Sequence, residues 1–375
     1  MKKYRVVIIG FGHMHINDVA SHFYENPRTE IVACADTVPA VPELRKAPYT
    51  REWNREFCVT NFNIPKVYDD YIEMLDTEKP DLAIITSENI RHREIVRACA
   101  ERGININVEK PMAVSLSDAL DMKRAAEQNN VTLIVNWPVT WVPIYMKMKR
   151  MIDDGAIGKI LEFKIRTSHT GPLGAGASHK GVTEHASPMT GKEKSQTWWH
   201  RLDQGGGSMY DFCCYGSMLS HWLLGEDAES VFGMRVNLDS QYGDADDNAM
   251  MLVRYPTAVA SIETSWTTPQ ELIPSNMPMI YGTKGAMTVI LRDGEEVLKV
   301  IANDGTETIY TADPVEEKDK DIACAFVHHM DTGDALHPTL SLDINMGAMR
   351  ILDAGVRSAK SGKMEACNSA YWQIG

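Results

Sequence analysis

The N-terminal stretch Lys3–Ala20 places the tightest constraint on the fold of this chain. It begins with the apolar, β-branched run Val6–Ile9, breaks at two closely spaced glycines, Gly10 and Gly12, and continues from about His15 as a helix. A buried strand, a tight glycine turn and a helix N-terminus in this order form a site for a dinucleotide pyrophosphate. His15 stands where the third glycine of the usual G-x-G-x-x-G would be, so the glycine pattern alone is weak evidence.

A carboxylate at the end of the next strand strengthens this interpretation. Thr29–Asp36 reads as a second strand that ends in Asp36, close to the spacing after the glycines at which dinucleotide-binding domains carry an acidic residue. A carboxylate at this place accepts both ribose hydroxyls of NAD and repels the 2′-phosphate of NADP, which predicts NAD as the cofactor. The simpler interpretation, an ordinary turn followed by a strand-end cap, does not explain why three features are in register.

Composition excludes several classes of partner. The 375 residues suffice for two domains, and a net charge of −13 without a basic run argues against nucleic acid and anionic membranes. The first apolar run is too short for a signal peptide, and no window approaches the roughly 18 apolar residues of a membrane helix. Seven scattered cysteines without a C-x-x-C pattern indicate reduced thiols, a cytoplasmic location and no structural zinc.

Strands and helices alternate through the first third of the chain. Buried strands at Asp81–Thr86, Ile104–Val108 and Val131–Val135 are separated by amphipathic helices, and Val67–Asp76 also reads as a helix. This alternation predicts a parallel sheet with helices on both faces. We place the end of this Rossmann domain at Trp137, which gives domains of residues 1–137 and 138–375.

The second half has a different pattern. Strand-like runs follow one another from Val231–Leu238 to Thr308–Tyr310 and predict a largely antiparallel sheet, before a final helix at about 342–360. The long stretch Thr170–Gln204 has no apolar period but is rich in histidine and tryptophan, which suits a loop that covers a substrate. Its His179 and His185 have no spacing that we would assign to a metal, and we expect no metal site.

Two stretches carry residues suited to proton transfer. Lys110, within Glu109-Lys110-Pro111, ends a parallel strand at the edge where such sheets bind ligands. Asp211 and Tyr215 lie four residues apart in a helix that follows a run of three glycines, so both project from one face. Taken singly, a surface lysine and a capped helix with a core tyrosine would explain these residues equally well.

The order and spacing of these motifs resemble those of a known family. The motifs are Gly10-x-Gly12, Asp36, Asp81–Thr86 followed by Asn89 and His92, Glu109-Lys110-Pro111, Gly155-x-x-Gly158-Lys159 and the glycine-led helix of Asp211. The chain resembles the Gfo/Idh/MocA oxidoreductases, relatives of glucose–fructose oxidoreductase and inositol dehydrogenase, over nearly its whole length. The resemblance implies a Rossmann domain and an α/β domain whose open sheet commonly forms homo-oligomers (dimers, tetramers or larger).

The resemblance also implies an activity. Family members transfer hydride between nicotinamide and a carbon that bears a hydroxyl, usually on a sugar, glycoside or polyol. By position, Lys110 corresponds to the family's catalytic lysine and Asp211 to its acid, whereas Tyr215 stands where most members have histidine. Glucose–fructose oxidoreductase is similar in using tyrosine there.

Site residues follow from these motifs. Cofactor contacts are expected at the glycine turn, at two strand ends and beside the lysine: Gly10, Phe11, Gly12, His13, Met14, His15, Asp36, Thr86, Ser87, Glu88, Asn89, His92, Glu109 and Lys110. Substrate contacts are expected from polar and aromatic residues of the second half and of the domain boundary: Asn136, Trp137, His169, Trp198, Trp199, His200 and Arg201.

Three functions remain open from the sequence. In a dehydrogenase, Tyr215 would accept the hydroxyl proton, Lys110 would lower the pKa of the phenol from about 10 and bind the substrate oxygen, and Asp211 would orient them. Lys110 could equally be the base. The alternatives are an NAD-dependent glycosidase that works by transient oxidation and elimination, and a non-catalytic NAD-binding sensor.

Overall fold

A parallel sheet forms the N-terminal part of the computed structural model, which describes residues 2–173, 182, 188–268 and 276–368. Its six strands lie in the order β3-β2-β1-β4-β5-β6, with helices between successive strands, as the alternating pattern predicts. The strands are β1 Tyr4–Ile9, β2 Thr29–Ala35, β3 Val67–Tyr68, β4 Leu82–Ile85, β5 Asn105–Glu109 and β6 Leu133–Asn136. The helices are α1 Ile16–Glu25, α2 Arg51–Asn61, α3 Tyr71–Glu78, α4 His92–Ala100 and α5 Leu116–Gln128.

The helix predicted over Val67–Asp76 begins later than expected. Val67 pairs in parallel with Cys34 of β2, so the first two residues form the edge strand β3. Asp70 then caps α3, because its side chain accepts a hydrogen bond of 2.7 Å from the main-chain N–H of Ile72. The prediction is wrong at this boundary because the β-branched valine and the aspartate cap are stronger local signals than the helical periodicity.

The second sheet has nine strands, in the order β14-β13-β12-β11-β7-β10-β9-β8-β15. Among the described strands of this sheet, only β7 and β10 pair in parallel, so the predicted, largely antiparallel sheet is confirmed. The strands are β7 Ile160–Ser168, β8 Ser230–Val236, β9 Asn248–Arg254, β10 Val259–Ser265, β11 Met279–Gly282, β12 Gly285–Arg292, β13 Glu295–Ala302, β14 Glu307–Tyr310 and β15 Glu365–Ala366. The helices of this part are α6 Pro143–Asp153, α7 Gly191–Lys194, α8 Cys214–Leu224, α9 Ile322–Thr332 and α10 Leu342–Ser361.

One late helix packs against the first sheet. Phe326 of α9 makes edge contacts with Tyr4 and Phe23, at ring-centroid distances of 5.5 and 6.2 Å. Asp331, at the end of α9, accepts hydrogen bonds from Tyr4 (2.7 Å) and Arg28 (2.8 Å). The chain therefore returns to the N-terminal core near its end, and the division at residues 137 and 138 stays a prediction.

Two further properties bear on function. No helix in the described ranges is both long and apolar enough to cross a membrane. All seven cysteines fall within those ranges, and each is a free thiol.

Candidate active site

The turn after β1 is fixed by the turn after β4. Gly10 has φ +85°, and a Cβ on it would lie 2.7–2.8 Å from atoms of Ser87, so only glycine fits. The hydroxyl of Thr86 donates to the Gly10 carbonyl (2.7 Å), and the N–H of His13 donates to the Thr86 carbonyl (2.9 Å). These bonds hold the two strand ends together at the carboxyl edge of the sheet, where parallel sheets bind ligands.

Asp36 holds the glycine turn from the other side. Its Oδ1 accepts hydrogen bonds from the N–H groups of Phe11 (3.1 Å) and Thr37 (2.8 Å) and from the guanidinium of Arg51 (2.5 Å). All three bonds reach Oδ1, which leaves Oδ2 for ribose hydroxyls. Burial raises the pKa of Asp36, against the opposing effect of Arg51. Arg51 begins α2 outside any motif, which is why the sequence analysis did not identify it.

Position 12 leaves little room for a side chain. A Cβ there would come within 3.0 Å of the Arg51 guanidinium and 3.3 Å of the Trp198 indole nitrogen. The indole N–H of Trp198 donates to the Gly12 carbonyl at 2.8 Å. The cradle between these side chains and the Asp36 carboxylate fits the pyrophosphate and ribose of a dinucleotide.

Lys110 and Asp211 form a buried ion pair at the end of β5. The ammonium lies 2.6 Å from Asp211 Oδ1 and also donates to the Asp211 carbonyl at 3.0 Å. Lys110 is 1 % exposed and Asp211 7 %. Burial lowers the pKa of Lys110, but the Asp211 carboxylate, together with Tyr215, Cys214 and Glu109, more than offsets this, and the pKa lies above its ordinary value. The indole N–H of Trp266, which the sequence analysis missed, donates to Asp211 Oδ2 at 3.2 Å.

The three glycines before this helix have a structural reason. Asp246 accepts hydrogen bonds of 2.8 Å from the Ser208 hydroxyl and the Met209 N–H, and a Cβ on Gly207 (φ +107°) would lie 2.6 Å from Asp246 Oδ1. The predicted helix of Asp211 and Tyr215 begins as a π-helical turn, Met209–Cys213, before α8. Such turns are rare and often lie at functional sites. No motif in the sequence indicates Asp246.

Tyr215 lies beneath Lys110 but does not hydrogen-bond to it. The ammonium is 4.9 Å from the ring centroid, over the ring, and Trp137 packs edge-on against the same ring at 5.3 Å. Burial raises the pKa of Tyr215 well above its usual range, and Lys110 offsets this only in part. Lys110 does lower the pKa of this phenol, but the expectation that it brings the pKa below 10 is wrong, because the effect of burial is larger.

Glu109, which precedes Lys110, is bonded to the first turn of the chain. Its carboxylate oxygens lie 2.8 Å from His15 Nδ1 and 3.1 Å from the Asn136 amide, which donates. Burial alone would raise the pKa of Glu109, but His15, Lys110 and Asn136 more than offset it and the pKa is lowered. His13, His15 and Glu109 place ligand atoms within 4.8 Å of one another and could by type hold a cation. Here these residues bond to each other. His15 Nδ1 lies against Glu109, and the main-chain N–H of His15 donates to His13 Nδ1 at 3.2 Å.

Several expected substrate residues lie on the cofactor side. Trp198 stacks on Trp199 at a centroid distance of 4.0 Å, and Trp199 packs edge-on against His13 at 4.7 Å. Arg201 lines the same small cavity as Arg51 and Glu88. These three side chains therefore lie beside the glycine turn and the Arg51 cluster, and their assignment to the substrate stays a prediction.

His200 and His169 differ in exposure. His200 is 2 % exposed between the rings of Tyr242 (4.9 Å) and Trp266 (5.5 Å), and burial lowers its pKa to about 3. His169 is exposed, accepts a hydrogen bond from the Gly171 N–H (2.8 Å) and packs edge-on against Phe212. Among the loop residues named above, His179 and His185 lie outside the described residues.

The remaining expected cofactor residues support the backbone. The Asn89 amide donates to the Gly205 carbonyl (2.8 Å), which joins the first domain to the glycine run. His92 is fully buried and hydrogen-bonds through Nδ1 to the carbonyls of Pro111 and Met112 (3.2 Å each), beside the cis bond between Lys110 and Pro111. Met14 is buried and offers its carbonyl to Asn17.

Comparison with protein families identifies both halves of the chain. Residues 4–137 match the family described as "Oxidoreductase family, NAD-binding Rossmann fold", and residues 145–288 match the "GFO/IDH/MocA C-terminal domain". The chain belongs to the Gfo/Idh/MocA oxidoreductase family. The resemblance seen in the sequence is confirmed, as is the fold of an NAD-binding Rossmann domain followed by an antiparallel-sheet domain.

Relatives within the family differ in what their names describe. The 2,7-anhydro-N-acetylneuraminate hydratase of Escherichia coli is 25 % identical over 60 % of this chain and 56 % of its own length. The scyllo-inositol 2-dehydrogenase (NAD(+)) of Bacillus subtilis is 27 % identical over 57 % of each chain. An oxidoreductase from Agrobacterium radiobacter, solved with NAD+, L-tartaric acid and magnesium, has a TM-score of 0.74 at 18 % identity, covering 98 % of this chain and 99 % of that one. This last likeness shows the fold alone.

Membership in the Gfo/Idh/MocA family makes this chain part of a group that binds NAD through its Rossmann domain. The residues of this chain fit such a cofactor, because the glycine cradle and Asp36 Oδ2 are the groups that a pyrophosphate and a ribose require. The alignments span little more than half of the first relatives' length, so their substrates are considered only as proposals.

Proposed function

We propose that this protein is an NAD-dependent dehydrogenase that transfers hydride between nicotinamide and a ring hydroxyl carbon of a sugar, glycoside or polyol. The observation that carries the proposal is the buried ion pair of Lys110 and Asp211 at the strand edge that also bears the glycine turn. A buried pair of this kind supplies a proton donor and a proton acceptor that do not depend on bulk water. When bound, the nicotinamide would supply or accept the hydride.

Proton transfer is assigned to this pair rather than to the phenol. With a raised pKa, Lys110 is an ammonium, and in carbonyl reduction it donates a proton to the oxygen that becomes the hydroxyl. In alcohol oxidation, Lys110 must first lose its proton, for which Asp211 Oδ1 at 2.6 Å is the nearest acceptor, and the resulting amine then takes the hydroxyl proton. The raised pKa of Lys110 makes this deprotonation the costly part of the step. Tyr215 supports the ammonium through its ring face.

The test is a panel of sugars, glycosides and polyols with NAD, followed by NADH absorbance. We expect accumulation of NADH with at least one cyclic polyol or sugar, and loss of this signal in Lys110→Met while NAD still binds. A protein that binds NAD but reduces none of it with any member of the panel would favour the sensor alternative.

A second candidate is a lyase, hydratase or glycosidase that oxidises its substrate only transiently. The similarity to enzymes named as 2,7-anhydro-N-acetylneuraminate hydratases in two bacteria favours it. Such an enzyme would convert a glycoside without net accumulation of NADH. In deuterium oxide, it would incorporate deuterium at a carbon next to the oxidised one, whereas a simple dehydrogenase would not.

We also propose that the protein forms homo-oligomers in the cytoplasm. One face of the second sheet exposes Phe232, Met234, Met250 and Leu252, which pair across β8 and β9 and are 42–59 % exposed. A contiguous apolar patch of this kind marks a protein interface. Leu252→Glu should reduce the mass measured by light scattering, whereas Leu291→Glu, at an exposed position on β12, serves as a control.

The proposal of a cytoplasmic location is supported by the free thiols, which agree with a reducing compartment.

A further inference from the structure

We propose that Glu88 determines the choice between NAD and NADP, by holding Arg51 in a position where it cannot bind a 2′-phosphate. This inference rests on the proposed function, since it concerns the cofactor of that same site. In Rossmann domains, an acidic residue at the end of the second strand binds the ribose, whereas a nearby arginine accommodates the 2′-phosphate of NADP. This chain carries both groups side by side, as Asp36 and Arg51.

Both terminal nitrogens of the Arg51 guanidinium already have partners. Its Nη1 donates to Asp36 Oδ1 (2.5 Å) and to the carbonyl and hydroxyl oxygens of Thr37 (3.1 and 3.0 Å), and its Nη2 forms an ion pair with Glu88. The side chain of Arg51 is 8 % exposed and that of Glu88 only 1 %. Glu88 is itself fixed, because the Thr37 hydroxyl lies 3.2 Å from its second oxygen.

The charges around Arg51 are unbalanced. The guanidinium of Arg51 faces two carboxylates, those of Asp36 and Glu88. The main-chain N–H of Arg51 also donates to a third carboxylate, that of Glu43, at 2.9 Å. A 2′-phosphate adds close to two negative charges at neutral pH, so it would enter a cluster that is already negative. It would find the N–H groups of Nη1 already donated to Asp36 and Thr37, and on Nη2 it would have to share the guanidinium with Glu88.

Glu88 is the member of this cluster whose replacement should change the preference for NAD over NADP. Asp36 also holds the glycine turn through Phe11, so its replacement disturbs the cofactor site as a whole. Replacing Glu88 by glutamine removes one charge, keeps the size of the side chain and breaks the ion pair with Nη2. Arg51 and Arg201, which line one small cavity with Glu88, are then the two cations available to a phosphate.

The experiment measures dissociation constants of NAD, NADP and 2′,5′-ADP by tryptophan fluorescence quenching and calorimetry, for the wild type, Glu88→Gln, Arg51→Met and the double variant. We expect the ratio of the NADP to the NAD dissociation constant to fall at least tenfold in Glu88→Gln. In the double variant this gain should be lost, because it depends on the released guanidinium and not only on the lost charge. Binding of 2′,5′-ADP should follow the same order.

Three results would overturn the inference: an unchanged ratio in Glu88→Gln, a gain that persists without Arg51, or a wild type that already prefers NADP. Thermal unfolding of each variant verifies folding. Should Glu88→Gln fail to fold, Thr37→Val, which removes a hydroxyl contact of both Arg51 and Glu88, should lower the ratio in the same direction. Failure of the proposed function would look different, since no substrate would then reduce either cofactor although the dissociation constants are measurable.

Discussion

Two buried charge clusters lie in the proposed active site, one on each side of the glycine turn, and they differ in their balance of charges. At Asp36, the single cation Arg51 contacts three carboxyl-bearing residues through its side chain and main chain. At the end of β5, the ammonium of Lys110 forms one ion pair, with Asp211.

The difference indicates different tasks. A guanidinium keeps its proton at every accessible pH, so the Arg51 cluster can only attract or repel a ligand. An ammonium, unlike a guanidinium, can give its proton to a reacting oxygen and regain it, so the Lys110 pair is suited to chemistry. We therefore expect substitutions in the first cluster to change cofactor choice and stability, and substitutions in the second to change turnover.

The largest effect is expected at Lys110. Lys110→Met should lower kcat/KM by about 10²–10⁴-fold, the usual contribution of a positioned proton donor. Lys110→Arg is the matched variant, because it keeps the charge but cannot lose its proton. We expect the rate of hydride transfer in a single turnover to fall by the same factor in Lys110→Met and in Lys110→Arg. If Lys110→Arg retains most of the activity, Lys110 acts only as a cation.

The ion pair of Lys110 and Asp211 should also contribute to the free energy of unfolding. Asp211→Asn leaves a buried ammonium without its counter-charge, and we expect the free energy of unfolding to fall by about 3–5 kcal/mol in urea. Lys110→Met combined with Asp211→Asn should recover most of this loss, because no uncompensated charge remains. Additive losses in the double variant would show that the two residues are not coupled.

The sequence analysis identified one cluster better than the other for physical reasons. Lys110 directly precedes a proline and Asp211 follows a run of three glycines, and both motifs can be recognised in the sequence, while topology alone brings strand ends to one edge. Arg51, Trp266 and Asp246 are placed by tertiary packing, since no local pattern separates them from other helix, strand or loop residues. The same limit explains why the burial of Tyr215 was not foreseen. The four-residue spacing from Asp211 indicates that both side chains lie on one face of the helix, but it does not indicate how deeply the phenol is buried.

The unbalanced cluster should make stability depend on pH in the mildly acidic range. Burial raises the pKa of Glu43 from 4.5 to about 7 in the folded protein. Between these values the folded state keeps a proton that the unfolded chain has lost, so the free energy of unfolding falls as pH rises from 4.5 to about 7. Glu43→Gln should remove roughly 1–3 kcal/mol of this fall. Urea unfolding over this pH range measures it, and Glu52→Gln, exposed on α2, should leave the slope unchanged.

The smallest effect is expected at Tyr215. With the pKa of its phenol raised by burial and no hydrogen bond to Lys110, the hydroxyl is not placed to accept a proton. Tyr215→Phe keeps the ring beneath the ammonium and should lower kcat by at most about tenfold, equivalent to roughly 1.4 kcal/mol. Tyr215→Leu removes the ring face and should cost more, because the cation–π contact is lost. A loss of more than about 100-fold in Tyr215→Phe, with a changed pH profile, would return the role of base to the phenol and limit Lys110 to a supporting charge.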